Sequence, residues 1–344
     1  MKKNEKLSFG RVVINTLRHS WSASPSMFSA LIASSLLLCG VQVLEIFSMR
    51  HFFDTVVIFA AGACNFTNVL YAGLPIGILL VLGPLIVIGE YLAQGYFWRR
   101  GSGYLLSLFH LRAGKLRLID FETTNTFDDM KKAGLGSEDA PAASRSVISL
   151  LFYYVPFFTF TSVFLFTVKP LLVFAMLFIF GSVLISQLIR ASKVYKFENR
   201  NTGLKRQTEY FERCITAKEY FKETRTLGAF SFFYNKFTKA NKWFSEASMD
   251  IEKQIARVEI LLRLVNVLGY SGIIGLLLYY VYNGKVSVGA FAAVFYSIDR
   301  INGILKTMVE DIGEAVKNMK TASFLLDYLE VPKHAFKKDI GYQV

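Results

Sequence analysis

Lys218-Glu219-Tyr220-Phe221-Lys222-Glu223-Thr224-Arg225-Thr226-Leu227-Gly228-Ala229-Phe230 lies near the middle of a 68-residue stretch, 189 to 256, that holds no apolar run of membrane length. Its flanks, Ile189 to Thr216 and Phe230 to Ile255, are rich in Lys, Glu, Arg and Gln and contain no proline. Each flank therefore reads as a continuous helix of roughly 26 residues, about 39 Å long at about 1.5 Å per residue. Strongly hydrophobic hairpins precede and follow the stretch, so the two helices continue membrane spans and hold the central segment far from the bilayer. A connection of that length is either functional or disordered. Its helix-forming, aromatic composition argues against disorder, which makes the tip a surface meant to be touched.

The rest of the composition agrees with a chain built in a membrane. Of 344 residues, 53% are hydrophobic, 15% aromatic and only 19% charged, with a mean hydropathy of +0.38. Several apolar stretches reach the roughly 20 residues that a bilayer core requires, and the expectation is an all-α membrane protein that contacts lipid. The net charge of +13 would suggest nucleic acid in a soluble domain. Here topology accounts for it, and no nucleic-acid partner is expected. Cys39, Cys64 and Cys214 fall in a span, an outer loop and the long arm, without CxxC or His/Cys spacing, so neither a disulfide framework nor a metal site is indicated. His19, His51, His110 and His334 are scattered. No nucleophile–base arrangement suggests catalysis, so no enzyme activity of this chain alone is expected.

In chain order, Leu7 to Trp21 places Phe9, Val12, Val13, Leu17 and Trp21 at helical spacing with polar residues opposite, as in a helix lying on a membrane surface. This interfacial helix, residues 1–23, is cut from the first span by Pro25. The expected spans are about 25–49, 71–98, 146–168, 171–189, 257–282 and 286–308, with residues 50–70 a short outer loop and residues 99–145 a second polar arm. Of the 39 Lys and Arg, only Arg50, Lys169 and Lys285 fall at the outer ends, and the other 36 lie on the inner side. Positive charge stays on the cytosolic side. Both termini and both long arms are thus placed in the cytoplasm, and the chain in a plasma membrane (a bacterial inner or cell membrane) as a multi-pass protein.

At these residues the chain resembles the transmembrane domain of an exporter-type (type IV) ABC half-transporter. Asp120-Phe121-Glu122 through Phe127-Asp128 and Ala133 resembles that family's first coupling region, and Ala217-Lys218-Glu219 with Leu227-Gly228-Ala229 its second. Val286-Ser287-Val288-Gly289-Ala290 resembles the opening of span six, and Phe324-Leu325-Leu326-Asp327-Tyr328-Leu329-Glu330 the close of the domain. Four motifs in the right order on the right sides of six spans cover essentially the whole chain, 1–330. The resemblance implies six helices with long cytoplasmic extensions, two coupling helices and an N-terminal elbow helix. It also implies pairing with a second transmembrane domain as a homo- or heterodimer, and alternating access for a hydrophobic, amphipathic or peptide substrate. Coupling to an ATPase would then fall on Phe121, Glu122, Phe127, Asp128, Lys218, Glu219, Tyr220, Phe221 and Gly228. The residues themselves leave open whether these aromatics instead pack between the arms of one chain.

Two departures accompany the resemblance. Gly134, Gly136 and Pro141 follow the first coupling region where an uninterrupted helix is usual. No G-x-x-x-x-G-K-[ST] loop exists, since Gly114-Lys115 is followed by Leu116 and Gly284-Lys285 by Val286. The nucleotide-binding domain, with its ATP and Mg, is therefore expected either beyond residues 331–344, which would begin its linker, or on a separate polypeptide; this chain binds no cofactor of its own. The alternatives are a permease subunit with a separately encoded ATPase, or a non-transporting six-span regulator or scaffold.

Charges inside spans are expensive and default to functional hypotheses. Glu90, Arg263, Asp299 and Arg300 lie in apolar surroundings, all in the inner third of the bilayer by residue count. Asp299, Asn302, Lys306, Glu310, Glu314 and Lys317 share one helical face. Glu90, Arg263, Asp299, Arg300 and Asn302 are thus candidates for a water-filled substrate cavity. A structural ion pair, such as Arg263 with Asp299, and a solvated extension below Lys306 is the alternative.

Overall fold

The computed structural model describes residues 9–115 and 124–330, and among them there is helix and no strand. The helices are α1 (Phe9–Ala23), α2 (Pro25–Ala60), α3 (Phe66–Ala113), α4 (Thr124–Ser149), α5 (Val155–Val168), α6 (Pro170–Thr216), α7 (Lys218–Thr226), α8 (Phe230–Tyr282) and α9 (Val288–Glu330). A π-helical turn, Leu150–Tyr154, joins α4 to α5. Among the described residues, six segments are long and apolar enough to cross a membrane: Pro25–Ala60, Phe66–Ala113, Asp129–Val168, Pro170–Val194, Phe230–Tyr282 and Val288–Glu330. This is a multi-pass, all-α membrane protein. At about 1.5 Å per residue, the 53 residues of α8 reach about 80 Å. A bilayer core is about 30 Å thick, so much of α8 stands clear of it.

Proline and glycine set the breaks. Pro25 occupies the first turn of α2, where its missing N–H costs nothing. Lys169 precedes Pro170 and is pushed out of the helical region, to φ −158° and ψ 130°. One extended residue therefore suffices to separate α5 from α6. Between α8 and α9, Gly284 takes φ 68°, while Lys285 N–H bonds the Tyr280 carbonyl and Gly284 N–H the Val281 carbonyl, both at 2.9 Å.

Two expectations meet a different outcome. Residues 50–70 are mostly helix, because α2 continues past Met49 to Ala60 and α3 begins at Phe66. The polar residues that suggested a loop are used on the helix surface instead. Arg50 and Asp54 face each other one turn apart at 3.9 Å, and Asp54 Oδ1 accepts the Gly289 N–H at 2.9 Å, capping the start of α9. Likewise, α4 runs unbroken through Gly134, Gly136 and Pro141. A Cβ on Gly136 would lie 2.7 Å from the Thr321 carbonyl oxygen and 2.8 Å from Leu325 Cβ, and one on Gly101 would meet Pro141 Cγ at 2.9 Å. These residues are close-approach points between helices, the role small residues commonly take in membrane proteins.

The described chain divides into two compact units, Met1–Val173 with Leu277–Val344, and Phe174–Leu276. In the first, α4 and α9 make the most extensive contact. Ala133, Ala140, Ala322 and Leu325 pack there with Leu105 and Phe109 of α3, and Val12 of α1 joins Ala143, Met319 and Leu326. Leu31, Phe97 and Ile148 form a further cluster. In the second unit, a Cβ on Gly269 would lie 3.7 Å from the Phe178 ring, Arg190 pairs with Glu259 at 3.0 Å and the Phe197 and Phe244 rings lie 5.8 Å apart. Partner numbers that fall as α6 advances mean an antiparallel α6–α8 hairpin closed by α7.

Candidate functional site

Within the first unit, α2, α3, α4, the π-turn and α9 bring together a polar cluster at the level of the apolar spans. Glu45 is 5% exposed. Its Oε2 accepts from Tyr296 Oη at 2.8 Å and pairs with the Arg300 guanidinium at 3.3 Å. One turn earlier on α2, Gln42 Oε1 accepts from Tyr153 Oη at 2.8 Å. The next residue, Tyr154, donates to Asp311 Oδ2 at 2.6 Å, and Asp311 Oδ1 is 3.4 Å from Arg145. Oriented oxygen-inward, the Gln94 amide accepts from Arg145 Nε at 2.6 Å. A buried carboxylate is tolerated only when paired and hydrogen-bonded, and both acids meet that condition.

The π-turn is what lets Tyr153 and Tyr154 serve different helices from adjacent positions. Val155 N–H reaches back five residues to the Leu150 carbonyl, widening the turn locally. The two rings sit 4.9 Å apart, yet one hydroxyl bonds α2 and the other α9. Single π-turns inside α-helices occur frequently at functional sites. Beside them lies a cavity of 230 Å³, lined by Gln42, Tyr153, Tyr154, Asp299, Arg300, Gly303, Ile304 and Thr307.

Of the candidates named from the sequence, Asp299 and Arg300 line this cavity. Glu90 is half-buried and interacts electrostatically with Arg145 and Asp311. Asn302 is half-buried on α9. Arg263 is exposed on α8 and belongs to the second unit, whereas Asp299 belongs to the first. Lys306 and Glu310 form an exposed pair at 4.0 Å, as a solvated helix face would. Glu45, Gln42, Arg145, Tyr296 and Asp311 were not singled out from the sequence. The signal for the first two was present: Gln42 and Glu45 are three apart, hence on one face, in an otherwise apolar run. Ending the span at Met49 placed Glu45 at its rim. With α2 running to Ala60, Glu45 lies 15 residues, about 22 Å, inside the helix end.

The tip between α6 and α8 is built from local rules. Ala217 is extended (φ −74°, ψ 136°) and breaks α6 from α7. Its carbonyl accepts from the N–H groups of Tyr220 and Phe221 at 3.1 and 3.0 Å. At the other end, Ala229 N–H reaches the Thr224 carbonyl at 2.9 Å and Gly228 N–H the Arg225 carbonyl at 3.2 Å. This paired closure needs a left-handed residue, and Gly228 supplies it at φ 64°. Buried Thr224 donates to the Cys214 carbonyl at 2.8 Å, tying α7 to the end of α6. Arg225 lies over the rings of Phe221 (5.2 Å) and Phe230 (4.2 Å). Tyr220, Phe221 and Leu227 remain 36%, 46% and 79% exposed. Lys218 and Glu219 stand in the first turn of α7, with Glu219 3.8 Å from Arg213. In the other arm, Phe127 and Asp128 fall on α4, and Phe121 and Glu122 lie outside the described residues, as does the expected linker at 331–344.

Helix α1 packs within the first unit. Val12, Thr16 and Ser20 form its buried ridge. Thr16 Oγ1 returns to the Val12 carbonyl at 2.7 Å, Ser20 and Ser144 share a hydrogen bond of 2.8 Å, and Asn15 donates to Glu330 at 2.9 Å. Phe9, Ile14 and Trp21 stay exposed. Half-buried His19 has its pKa pushed down, by burial first and by Arg18 second, with Glu330 opposing.

No protein-family model and no curated protein matches this chain.

Proposed function

We propose that the chain is the membrane-spanning part of an ATP-driven exporter of the ABC type, moving its substrate by alternating access. The observation that carries this reading is the tip: a nine-residue helix held between helices of 47 and 53 residues. That helix leaves Tyr220, Phe221 and Leu227 accessible. A short rigid helix with exposed aromatics at the end of a long lever is what transmission of force to another domain requires. Aromatic side chains are the preferred anchors of such contacts. On this reading Lys218, Glu219, Tyr220, Phe221 and Gly228 form one coupling helix, and Phe121, Glu122, Phe127 and Asp128 belong to the other. The exposed Phe9, Ile14 and Trp21 of α1 would lie in the membrane interface. A second transmembrane domain and an ATPase, in the same polypeptide or separate, complete the machine, with ATP and Mg on the ATPase and both arms in the cytoplasm. The cavity beside Asp299 and Arg300 belongs to the substrate path.

The test is Tyr220→Ala combined with Phe221→Ala. Both rings are well exposed, and the Arg225–Phe221 stacking of an exposed pair is worth only about 0.5–1 kcal/mol. Thermal unfolding of the chain in detergent should therefore hardly change. Assembled with the ATPase encoded in frame or beside it, the same variant should lose substrate-stimulated ATP hydrolysis and transport. A large fall in unfolding temperature with coupling preserved would make these residues internal packing and remove the ground for the proposal.

A further inference from the structure

We infer that the 230 Å³ cavity beside the π-turn is a binding site for a small organic cation carrying a primary ammonium group. The proposal comes from counting donors and acceptors. Tyr153 Oη spends its proton on Gln42 at 2.8 Å, and Tyr154 Oη spends its proton on Asp311 at 2.6 Å. Thr307 Oγ1 donates to the Gly303 carbonyl at 3.1 Å. Each hydroxyl keeps only lone pairs to offer. Asp299 lines the same space and adds a carboxylate that makes no ion pair among the described residues. Among the described residues around the cavity, Arg300 is the one with a positive charge. Its charge is already met by Glu45 at 3.3 Å, with Tyr296 as a second donor to the same carboxylate oxygen. The lining therefore presents at least three neutral acceptor oxygens and one uncompensated negative charge.

A ligand complementary to that set must be positive and rich in N–H. An ammonium group has three donors and no acceptor, and a desolvated cation beside two tyrosine rings gains further from their faces. Arg300 Nε is buried without a partner, and with the Gln42 amide N–H groups it offers donors to an acceptor atom elsewhere on the ligand. The volume lies just below the 300–1,000 Å³ of drug-sized sites, fitting a short amine or an amine-bearing head group. A bare monovalent ion would leave most of it empty, since a water molecule's share of liquid volume is about 30 Å³. A charge carried at the level of the spans also needs a compensating group, which Asp299 provides. The site stands on these contacts whether or not the chain proves to be a transporter.

The experiment is calorimetric titration, with thermal unfolding in parallel, of the full chain in neutral detergent with n-butylammonium. n-Butanol, n-butyrate and sodium ion serve as matched controls. Butylammonium should bind saturably and raise the unfolding temperature, the three controls should not, and Asp299→Asn should weaken binding by at least about tenfold. Asp299 is exposed, so this variant should unfold at the temperature of the parent chain. Equal effects of butanol and butylammonium, tighter binding of butyrate, the same shift with sodium alone, or undiminished binding to the Asp299→Asn chain would each overturn the proposal.

Discussion

Replacing Arg300 by leucine tests the buried pair at the heart of the first unit. The Glu45 side chain is 6% exposed and holds two bonds, from Tyr296 at 2.8 Å and Arg300 at 3.3 Å. Removing one partner of a buried pair typically costs about 3–5 kcal/mol, because the other charge is left stranded. Arg300 is 38% exposed and Tyr296 would still donate, so a loss of about 2–3 kcal/mol is expected for Arg300→Leu. Glu45→Leu should cost less, about 1–2 kcal/mol, since the guanidinium keeps access to solvent. The double replacement leaves no charge behind, and apolar substitutes for a buried pair are often near neutral; about 1 kcal/mol is expected. The cycle then yields a coupling of about 3 kcal/mol, at the upper end of the range for residues in one network. Tyr296→Phe removes only a side-chain hydrogen bond, for which helical membrane proteins average about 0.6 kcal/mol. Equilibrium unfolding in mixed micelles, followed by far-UV circular dichroism, measures all four variants. If the double variant is as unstable as the sum of the singles, within about 0.5 kcal/mol, Glu45 and Arg300 are not partners.

Gly136→Ala places a methyl 2.7 Å from the Thr321 carbonyl oxygen and 2.8 Å from Leu325 Cβ. Such overpacking should cost about 1–3 kcal/mol, read as a lower unfolding temperature, while Gly95→Ala, with open space around it, should be tolerated. For His19, the folded pKa lies below the ordinary value of 6.5, so the folded state prefers the neutral ring. Stability from that preference is present above the unfolded pKa and lost as pH falls through the folded one. Lowering the pH from 7.5 to 5 should lower the unfolding temperature of the parent chain more than that of His19→Gln; equal losses would remove the linkage. Topology is tested with native Cys64 at the α2–α3 turn, against a cysteine placed at Lys218. An impermeant thiol reagent added to sealed cells should label the first and spare the second, and the reverse would invert the orientation read from the charges.

What could be read from the sequence was local. Apolar runs near 20 residues mark spans because a bilayer core has one thickness. The proline-free flanks end at Thr216 and resume at Phe230, the residues at which α6 stops and α8 starts. Gly228 announces the closing turn of α7, because few other residues accept its backbone conformation. Where the polar residues find partners was decided only by tertiary structure. Glu45 meets Arg300 across 255 positions and Tyr154 meets Asp311 across 157, and no periodicity within either helix encodes such a match. The same holds for Gly136: its neighbours suggested a break in the helix, and its function is the close approach of α9. A helix obeys rules spanning four residues, whereas a buried charge obeys whichever helix lies against it.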